Sequence, residues 1–180
     1  MKTPTGSQRD AVMVTRSTLP PLEDYVAYLR RIWESHVLTN NGPCVQELES
    51  KLRDYLGTPQ LWFVNNGTTA LQIAIKSLQL DGEIITTPFS YVATTGAILW
   101  ENCTPVFADV RPEDLTIDPD RIKAAITSRT RAILATHVYG LPCEVAAIEA
   151  IARRHGLKTI YDAAHAFGCR MGGRSLVAYG

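Results

Sequence analysis

Apolar residues in the first part of the chain recur at helical spacing and predict two amphipathic helices. The first opens at Pro20-Pro21, because proline is tolerated in the first turn of a helix. Its apolar positions repeat every three or four residues, and we expect the face that they form to be buried: Leu22, Tyr25, Val26, Leu29, Ile32 and Trp33. Turn-forming residues at 38–43 separate it from a second helix over residues 45–56, with Gly57 as its C-terminal cap.

Beyond residue 57 short apolar runs alternate with helical patterns. The runs predict strands at residues 61–64, 83–87, 105–108, 130–136 and 159–161. Helices are predicted between them at residues 70–80, 93–100, from a cap at Asp118 onward, and at 145–155. Residues 169–177, with Gly172-Gly173 at their centre, predict a small hairpin. This alternation is typical of parallel strands joined by helical crossovers, so the predicted fold class is α/β with a mostly parallel sheet.

Composition narrows the classes of protein to which the chain can belong. Its 180 residues are 46% hydrophobic, which argues against disorder and for one domain with a core. Lys+Arg and Asp+Glu number 18 each, so net charge gives no reason to expect nucleic acid or anionic lipid as a partner. Residues 1–16 lack the apolar region of a signal peptide, and no apolar segment approaches membrane-spanning length. We therefore expect a soluble, cytoplasmic protein.

The cysteine and histidine pattern gives no sign of a metal centre. The four cysteines are far apart in the sequence, without a CxxC pair or a histidine at metal-ligand spacing. Reduced thiols in a cytosolic protein are the simplest interpretation.

Unusual polar stretches follow several of the predicted strands. They lie at residues 65–69, 88–91, 137–140 and 162–165. An open parallel sheet binds its ligand beyond the carboxyl ends of its strands. The sequence therefore predicts one binding site at one edge of the sheet.

Gly67, Thr68 and Thr69 join a predicted strand to a predicted helix. Glycine lets the backbone approach a ligand closely, and the free amides of the first helical turn and the two hydroxyls would form an anion site suited to phosphate. The alternative is that Thr68 only caps the helix. The stretch is neither a P-loop nor GxGxxG, which makes a dinucleotide-binding domain the weaker hypothesis.

Asp162 comes directly after the last predicted strand and is followed by two alanines. A buried charge without a partner is costly, so we expect a basic side chain or a cationic ligand opposite it. A protonated pyridine nitrogen, as in pyridoxal phosphate (PLP) enzymes, fits this requirement. The alternative is an aspartate that caps the next turn.

Three aromatic or histidine positions near these stretches are further candidates. Tyr91 could lie over a flat heteroaromatic ligand, or it could be an ordinary core residue. His165, three residues after Asp162, could hydrogen-bond the aspartate or a ring oxygen, or it could be structural. No role is assigned to His137 or Tyr139.

Five motifs in register carry a resemblance to a known family: residues 38–43 (LTNNGP), 66–71 (NGTTAL), 87–94 (TPFSYVAT), 137–140 (HVYG) and 162–166 (DAAHA). They resemble the DegT/DnrJ/EryC1/StrS sugar aminotransferases, PLP enzymes with the three-layer αβα large domain of the aspartate aminotransferase type (fold type I). The resemblance implies that residues 19–180 are the N-terminal part of that PLP-binding domain. Residues 1–18 would be a poorly ordered tail.

The resemblance also implies roles for individual residues. Gly67, Thr68 and Thr69 would hold the cofactor phosphate, and Tyr91 would stack on the pyridine ring. Asp162 would pair with the ring nitrogen, and His165 would sit near the phenolic oxygen. The substrate would be a nucleotide-linked keto sugar such as dTDP-4-keto-6-deoxyhexose, aminated with glutamate during deoxyamino-sugar and polysaccharide biosynthesis. Family members are homodimers.

One family feature has no counterpart in these 180 residues. The Schiff-base lysine of the family follows the aspartate in a Ser-Phe-His-x-x-Lys type motif, and no lysine follows Asp162 here. We expect that lysine, and the small C-terminal domain, beyond Gly180. Two alternatives remain: a non-catalytic relative that binds the cofactor and serves as a binding or dimerisation partner, and a sugar dehydratase of the same family.

Overall fold

The alternating pattern in the second half of the chain folds into one parallel sheet. The structure is a computed structural model that describes residues 17–180. The strands are β1 (Glu83–Thr86), β2 (Thr104–Phe107), β3 (Thr130–Thr136) and β4 (Lys158–Asp162), in the order β2-β1-β3-β4. Every pairing in this sheet is parallel. The predicted α/β class is confirmed.

The helices, in chain order, are α1 (Leu22–Ser35), α2 (Pro43–Leu56), α3 (Gly67–Ser77), α4 (Val92–Trp100), α5 (Pro119–Ala125) and α6 (Val145–His155). The last four cover both faces of the sheet. Buried residues of α3 and α4 pack on one set of strand positions, which includes Ile84, Ala132 and Leu134. Buried residues of α5 and α6 pack on the alternate set, which includes Ile85 and Ile133. Because neighbouring side chains of a strand point to opposite faces, the result is three layers, αβα.

Several local predictions hold at the ends of elements. The Asp118 side chain accepts a hydrogen bond from the Asp120 N–H at 2.8 Å and caps α5. The predicted cap Gly57 follows α2 with φ of 66°, the left-handed conformation that glycine adopts without strain, and Gly156 follows α6 with the same φ. The predicted hairpin is present as β5 (Arg170–Met171) and β6 (Arg174–Ser175).

Two predictions about apolar runs are wrong. Residues 61–64 form no strand, and Trp62 is 81% exposed. They pair with none of the four strands of the sheet, and a strand exists only when a neighbour accepts its backbone hydrogen bonds. The apolar face of α1 is not buried either: Val26, Leu29 and Ile32 are half-buried, and the other three predicted members are exposed. Periodicity predicts such a face but not what covers it.

The described chain divides into two compact units, residues 17–46 and Glu47–Gly180. In the first, His36 follows the end of α1 with a left-handed φ of 55°, and two further left-handed residues, Asn40 and Asn41, form the turn before α2. The second unit contains the whole sheet. Residues 1–16 of the predicted tail lie outside the described residues.

A buried carboxylate fixes the amino-terminal end of the sheet. The Glu83 side chain on β1 accepts a hydrogen bond from the Thr127 hydroxyl and lies 2.5 Å from the Arg129 guanidinium. The hydrogen bond from Thr127, aided by the positive charge of Arg129, lowers the pKa of Glu83 below its ordinary value. Both oxygens of this carboxylate therefore have a partner inside the protein.

We expect Ile133→Ala to lower the free energy of unfolding by about 2–5 kcal/mol, because it opens a cavity at a fully buried position of the central strand β3. Urea denaturation measures the change. Ile73→Ala, at an exposed position of α3, is the matched control and should change it by no more than about 0.5 kcal/mol. Equal losses in the two variants would contradict the assigned core.

Glu83→Gln should lower the melting temperature at pH 7 and much less in acid. Because the pKa of Glu83 is lowered on folding, its ionised form adds stability above the unfolded value of roughly 4.3, and that stability is lost as pH falls through the folded value. Thermal unfolding of both proteins between pH 3 and pH 7 tests this. Glu113→Gln, at an exposed position, is the control. If the difference in melting temperature between wild type and Glu83→Gln does not change with pH, the pairing of Glu83 with Thr127 and Arg129 is contradicted.

Candidate functional site

A cleft of about 300 Å³ opens at the carboxyl ends of β3 and β4. Of the residues predicted for a binding site, all except Thr69 line it. Its full lining is Asn66, Gly67, Thr68, Leu71, Ser90, Tyr91, Ala93, Thr136, Asp162, Ala164 and His165. Residues at or just after the ends of β1, β3 and β4 meet here because parallel strands end at the same edge of the sheet, and the start of α3 completes the lining.

The N-terminus of α3 forms one wall of the cleft. The Asn66 side chain accepts a hydrogen bond from the Thr69 N–H at 2.8 Å, so Asn66 is the cap and the capping role considered for Thr68 is wrong. The N–H groups of Gly67 and Thr68 are the first two of the helix and have no carbonyl partner within it. With the positive end of the helix dipole, they suit an anion.

The backbone conformation at position 67 does not require a glycine. Its φ lies outside the left-handed region, and a Cβ placed there would meet no protein atom within 4 Å. Protein packing therefore leaves the space beside this glycine open at the wall of the cleft.

Asp162 is half-buried at the end of β4 and is held by two donors. Its Oδ2 accepts a hydrogen bond from the Thr94 hydroxyl at 2.8 Å, and its Oδ1 accepts one from the Ala164 N–H at 3.1 Å. The second bond is the turn-capping contact considered as the alternative, and it uses only one oxygen. In the part of the chain that the structure describes, no lysine or arginine forms an ion pair with this carboxylate.

The Thr94 hydroxyl belongs to a short series that the sequence analysis missed. Ser90 Oγ lies 2.7 Å from Thr94 Oγ1 and 3.2 Å from Thr136 Oγ1. Thr94 stands one turn after Tyr91 in the third sequence motif, which was a usable signal. Its partner Asp162 is 68 residues further along the chain, which no local pattern indicates.

Tyr91 is 71% exposed and lines the cleft at the start of α4. The alternative that it is an ordinary core residue is therefore wrong. Its ring is available to a ligand.

Tyr139, to which no role was assigned, orients His165. Its N–H donates a hydrogen bond to His165 Nδ1 at 3.3 Å, and the two rings stack with centroids 5.9 Å apart. A neutral imidazole that accepts at Nδ1 carries its proton on Nε2, so His165 offers a donor there. Of the two hydrogen bonds considered for His165, the one to Asp162 is absent among the described residues.

The backbone around Tyr139 is constrained by its neighbours. Tyr139 has a left-handed φ of 51°, which is unusual for a bulky residue. Gly140 follows with φ of 82°, and a Cβ there would lie 3.2 Å from the His165 carbonyl oxygen. Tyr139 also contacts the edge of Phe89, with ring centroids 6.3 Å apart. A smaller hollow of about 260 Å³ adjoins the cleft at these rings.

His137 lies outside the cleft. It is fully buried, stacks on Tyr161 with centroids 5.0 Å apart, and its Nδ1 accepts a hydrogen bond from the Cys143 N–H. Burial lowers the pKa of His137, and the nearby Asp162 charge opposes that only in part. His137 is therefore a neutral structural residue.

Residues 17–180 contain no group of histidine, cysteine, aspartate or glutamate side chains that could hold a metal ion. No helix among these same residues has the length and apolar character needed to span a membrane.

Known proteins are similar to this chain over most of its length. The chain is 50% identical over 162 residues to dTDP-4-amino-4,6-dideoxy-D-glucose transaminase from Escherichia coli, an alignment that covers 90% of this chain and 44% of that protein. The chain thus spans less than half the length of this relative.

Solved structures are also similar to this chain over most of its length. The structure of DesI in the presence of its TDP-sugar product matches with a TM-score of 0.84 and 36% identity, over 86% of this chain and 40% of DesI. NtdA from Bacillus subtilis with bound cofactor PMP matches with a TM-score of 0.79 and 31% identity, over 89% of this chain and 39% of NtdA. The sequence model of the DegT/DnrJ/EryC1/StrS aminotransferase family matches residues 22–180, and the chain is a member of that family.

Proposed function

We propose that the protein binds pyridoxal 5'-phosphate, or its amine form, in the cleft and transfers an amino group to a nucleotide-linked keto sugar. One observation carries the proposal: a carboxylate without a basic partner among the described residues, Asp162, lines the same cleft as the anion-binding N-terminus of α3. A ligand with a cationic ring and an anionic tail matches both ends of such a site. The names of the relatives support a sugar such as dTDP-4-keto-6-deoxyhexose as the acceptor.

The donors at the α3 end fit the phosphate of this cofactor. The amides of Gly67 and Thr68 would bind its oxygens, and the open space beside Gly67 would let the phosphate approach the backbone. The Thr69 N–H is already bonded to Asn66, so Thr69 has only its hydroxyl to offer. Asn66 would act indirectly by holding this turn in place.

At the other end of the cleft, three side chains would act on the ring of the cofactor. Asp162 would hold the ring nitrogen in its protonated form, and Tyr91 would cover one face of the ring. His165, with its proton on Nε2, would donate to the phenolic oxygen. When bound, the protonated ring withdraws electrons from the carbon that carries the nitrogen, which makes amino-group transfer feasible.

The remaining parts of the proposal rest on family membership. The lysine that forms the Schiff base and moves the proton is proposed to lie beyond Gly180. Glutamate is proposed as the amino donor, a homodimer as the assembly, and the cytoplasm as the location. The exposed rings of Tyr91 and Tyr139 support the homodimer, because a second subunit could cover the cleft that they leave open.

Asp162→Asn should weaken binding of pyridoxamine phosphate by about 10-fold or more, because an amide cannot supply the charge in a bond to a cationic nitrogen that contributes roughly 1.5–3 kcal/mol. Titration of the purified chain, followed by the absorbance of the ligand, measures the dissociation constant. Asp81→Asn, at an exposed position, is the control. Equal affinity of wild type and Asp162→Asn would refute the role given to Asp162.

Gly67→Ala should weaken binding of PLP but not of unphosphorylated pyridoxal, because the added methyl occupies the space proposed for the phosphate. Its melting temperature should not fall, since no protein atom is within contact distance and alanine favours a helix by up to about 1 kcal/mol. Gly96→Ala in α4 is the matched control, because its Cβ also meets open space but does not line the cleft. If PLP and pyridoxal lose affinity equally, the phosphate does not bind at this turn.

A further inference from the structure

Three hydroxyl groups connect the interior of the sheet to the cleft carboxylate. Thr136 on β3, Ser90 before α4 and Thr94 in the first turn of α4 lie in series, with oxygen separations of 3.2 Å and 2.7 Å, and Thr94 lies 2.8 Å from Asp162 Oδ2. Thr94 and Thr136 are buried, so water cannot readily replace their partners.

Hydrogen-bond chemistry sets the direction of this series. An ionised carboxylate only accepts, so the single hydroxyl proton of Thr94 must go to Asp162. Thr94 must then accept from Ser90. Ser90, which has also used its only proton, must in turn accept from Thr136. All three O–H groups therefore point toward Asp162.

Hydrogen bonds aligned in this way strengthen one another. Each donor becomes more polarised when it also accepts a bond, so the last hydroxyl, Thr94, donates more strongly than an isolated one. Together with the Ala164 N–H, it fixes both oxygens of Asp162 and hence the direction in which the carboxylate faces.

The two groups that donate to Asp162 are neutral, so they do not cancel its negative charge. An arginine at this position would orient Asp162 but would also neutralise it and compete with a cationic ligand. Hydroxyl groups orient the carboxylate and leave its full negative charge available to the cleft.

We propose that Thr94, supported by Ser90 and Thr136, is a positioning residue that aims Asp162 at the cationic ring nitrogen of the cofactor; this rests on the proposed function. A purely structural role for Thr94 in starting α4 makes a different prediction. In that case loss of the hydroxyl lowers the stability of the fold, and ligand binding weakens only as far as the folded fraction falls.

The test compares Thr94→Val, which keeps the shape of the side chain, with Thr94→Ser, which keeps the hydroxyl. The Ala164 N–H donates a hydrogen bond to Asp162 Oδ1, so its hydrogen exchange in the ligand-free chain, measured by NMR, reports how firmly Asp162 is held. We expect about 10-fold faster exchange of that amide in Thr94→Val, in line with the loss of a charge-assisted bond, and near wild-type exchange in Thr94→Ser. Thr104→Val, at an exposed position of β2, is the control.

The second measurement is binding of pyridoxamine phosphate to the same variants as a function of pH. Thr94→Val should bind about 10-fold more weakly, and its bound ligand should lose the ring proton at lower pH than in wild type, as expected when the charge-assisted bond loosens. Thr94→Ser should restore both. Thermal unfolding of each variant separates these effects from loss of fold.

The possible outcomes decide the positioning role and the proposed function separately. If Thr94→Val leaves Ala164 exchange and ligand binding unchanged, or if Thr94→Ser is as impaired as Thr94→Val, the positioning role is refuted. If the wild-type chain binds no pyridoxamine phosphate, the proposed function of this chain fails, and the exchange of Ala164 still decides whether Thr94 positions Asp162.

Discussion

The parallel pairing of β3 with β4 is the constraint on which the site depends. Its register places Thr136 beside Asp162 at the last position of both strands. Because β1 runs in the same direction, the turns that carry Tyr91 and His165 reach the same edge of the sheet, and the start of α3 at Gly67 lies beside them. The apolar layers on both faces hold this register, since a shift by one residue would move every side chain of the strand into the opposite layer.

Two carboxylates at opposite ends of the sheet have different surroundings. Glu83 at the amino end is surrounded by a hydroxyl donor and the Arg129 guanidinium, and these lower its pKa. Asp162 at the carboxyl end is held by a hydroxyl and an amide, which orient it without cancelling its charge. The first carboxylate is satisfied within the fold, whereas the second has capacity left for a cation in the cleft.

The ring systems near the cleft divide into an inner pair and an exposed group. His137 and Tyr161 stack in the interior beneath the site, where burial keeps His137 neutral. Tyr91, Tyr139 and His165 lie at the open side, and the backbone N–H of Tyr139 sets which nitrogen of His165 carries the proton. The inner pair supports the strand ends, and the outer group is exposed to ligands.

The sequence by itself determined the elements and residues whose signals are local. The bounds of β3 and α6 follow from apolar runs, the glycine caps and the Asp118 cap follow from backbone geometry, and five short motifs indicate the family and the candidate residues. Only the tertiary structure decided matters that depend on a distant neighbour. Residues 61–64 are not a strand because nothing in the described chain pairs with them, and the apolar face of α1 is not buried. The bond from Thr94 to Asp162 joins residues 68 positions apart. A propensity belongs to a residue and its near neighbours, whereas pairing, burial and hydrogen bonding require a partner that only the folded chain supplies.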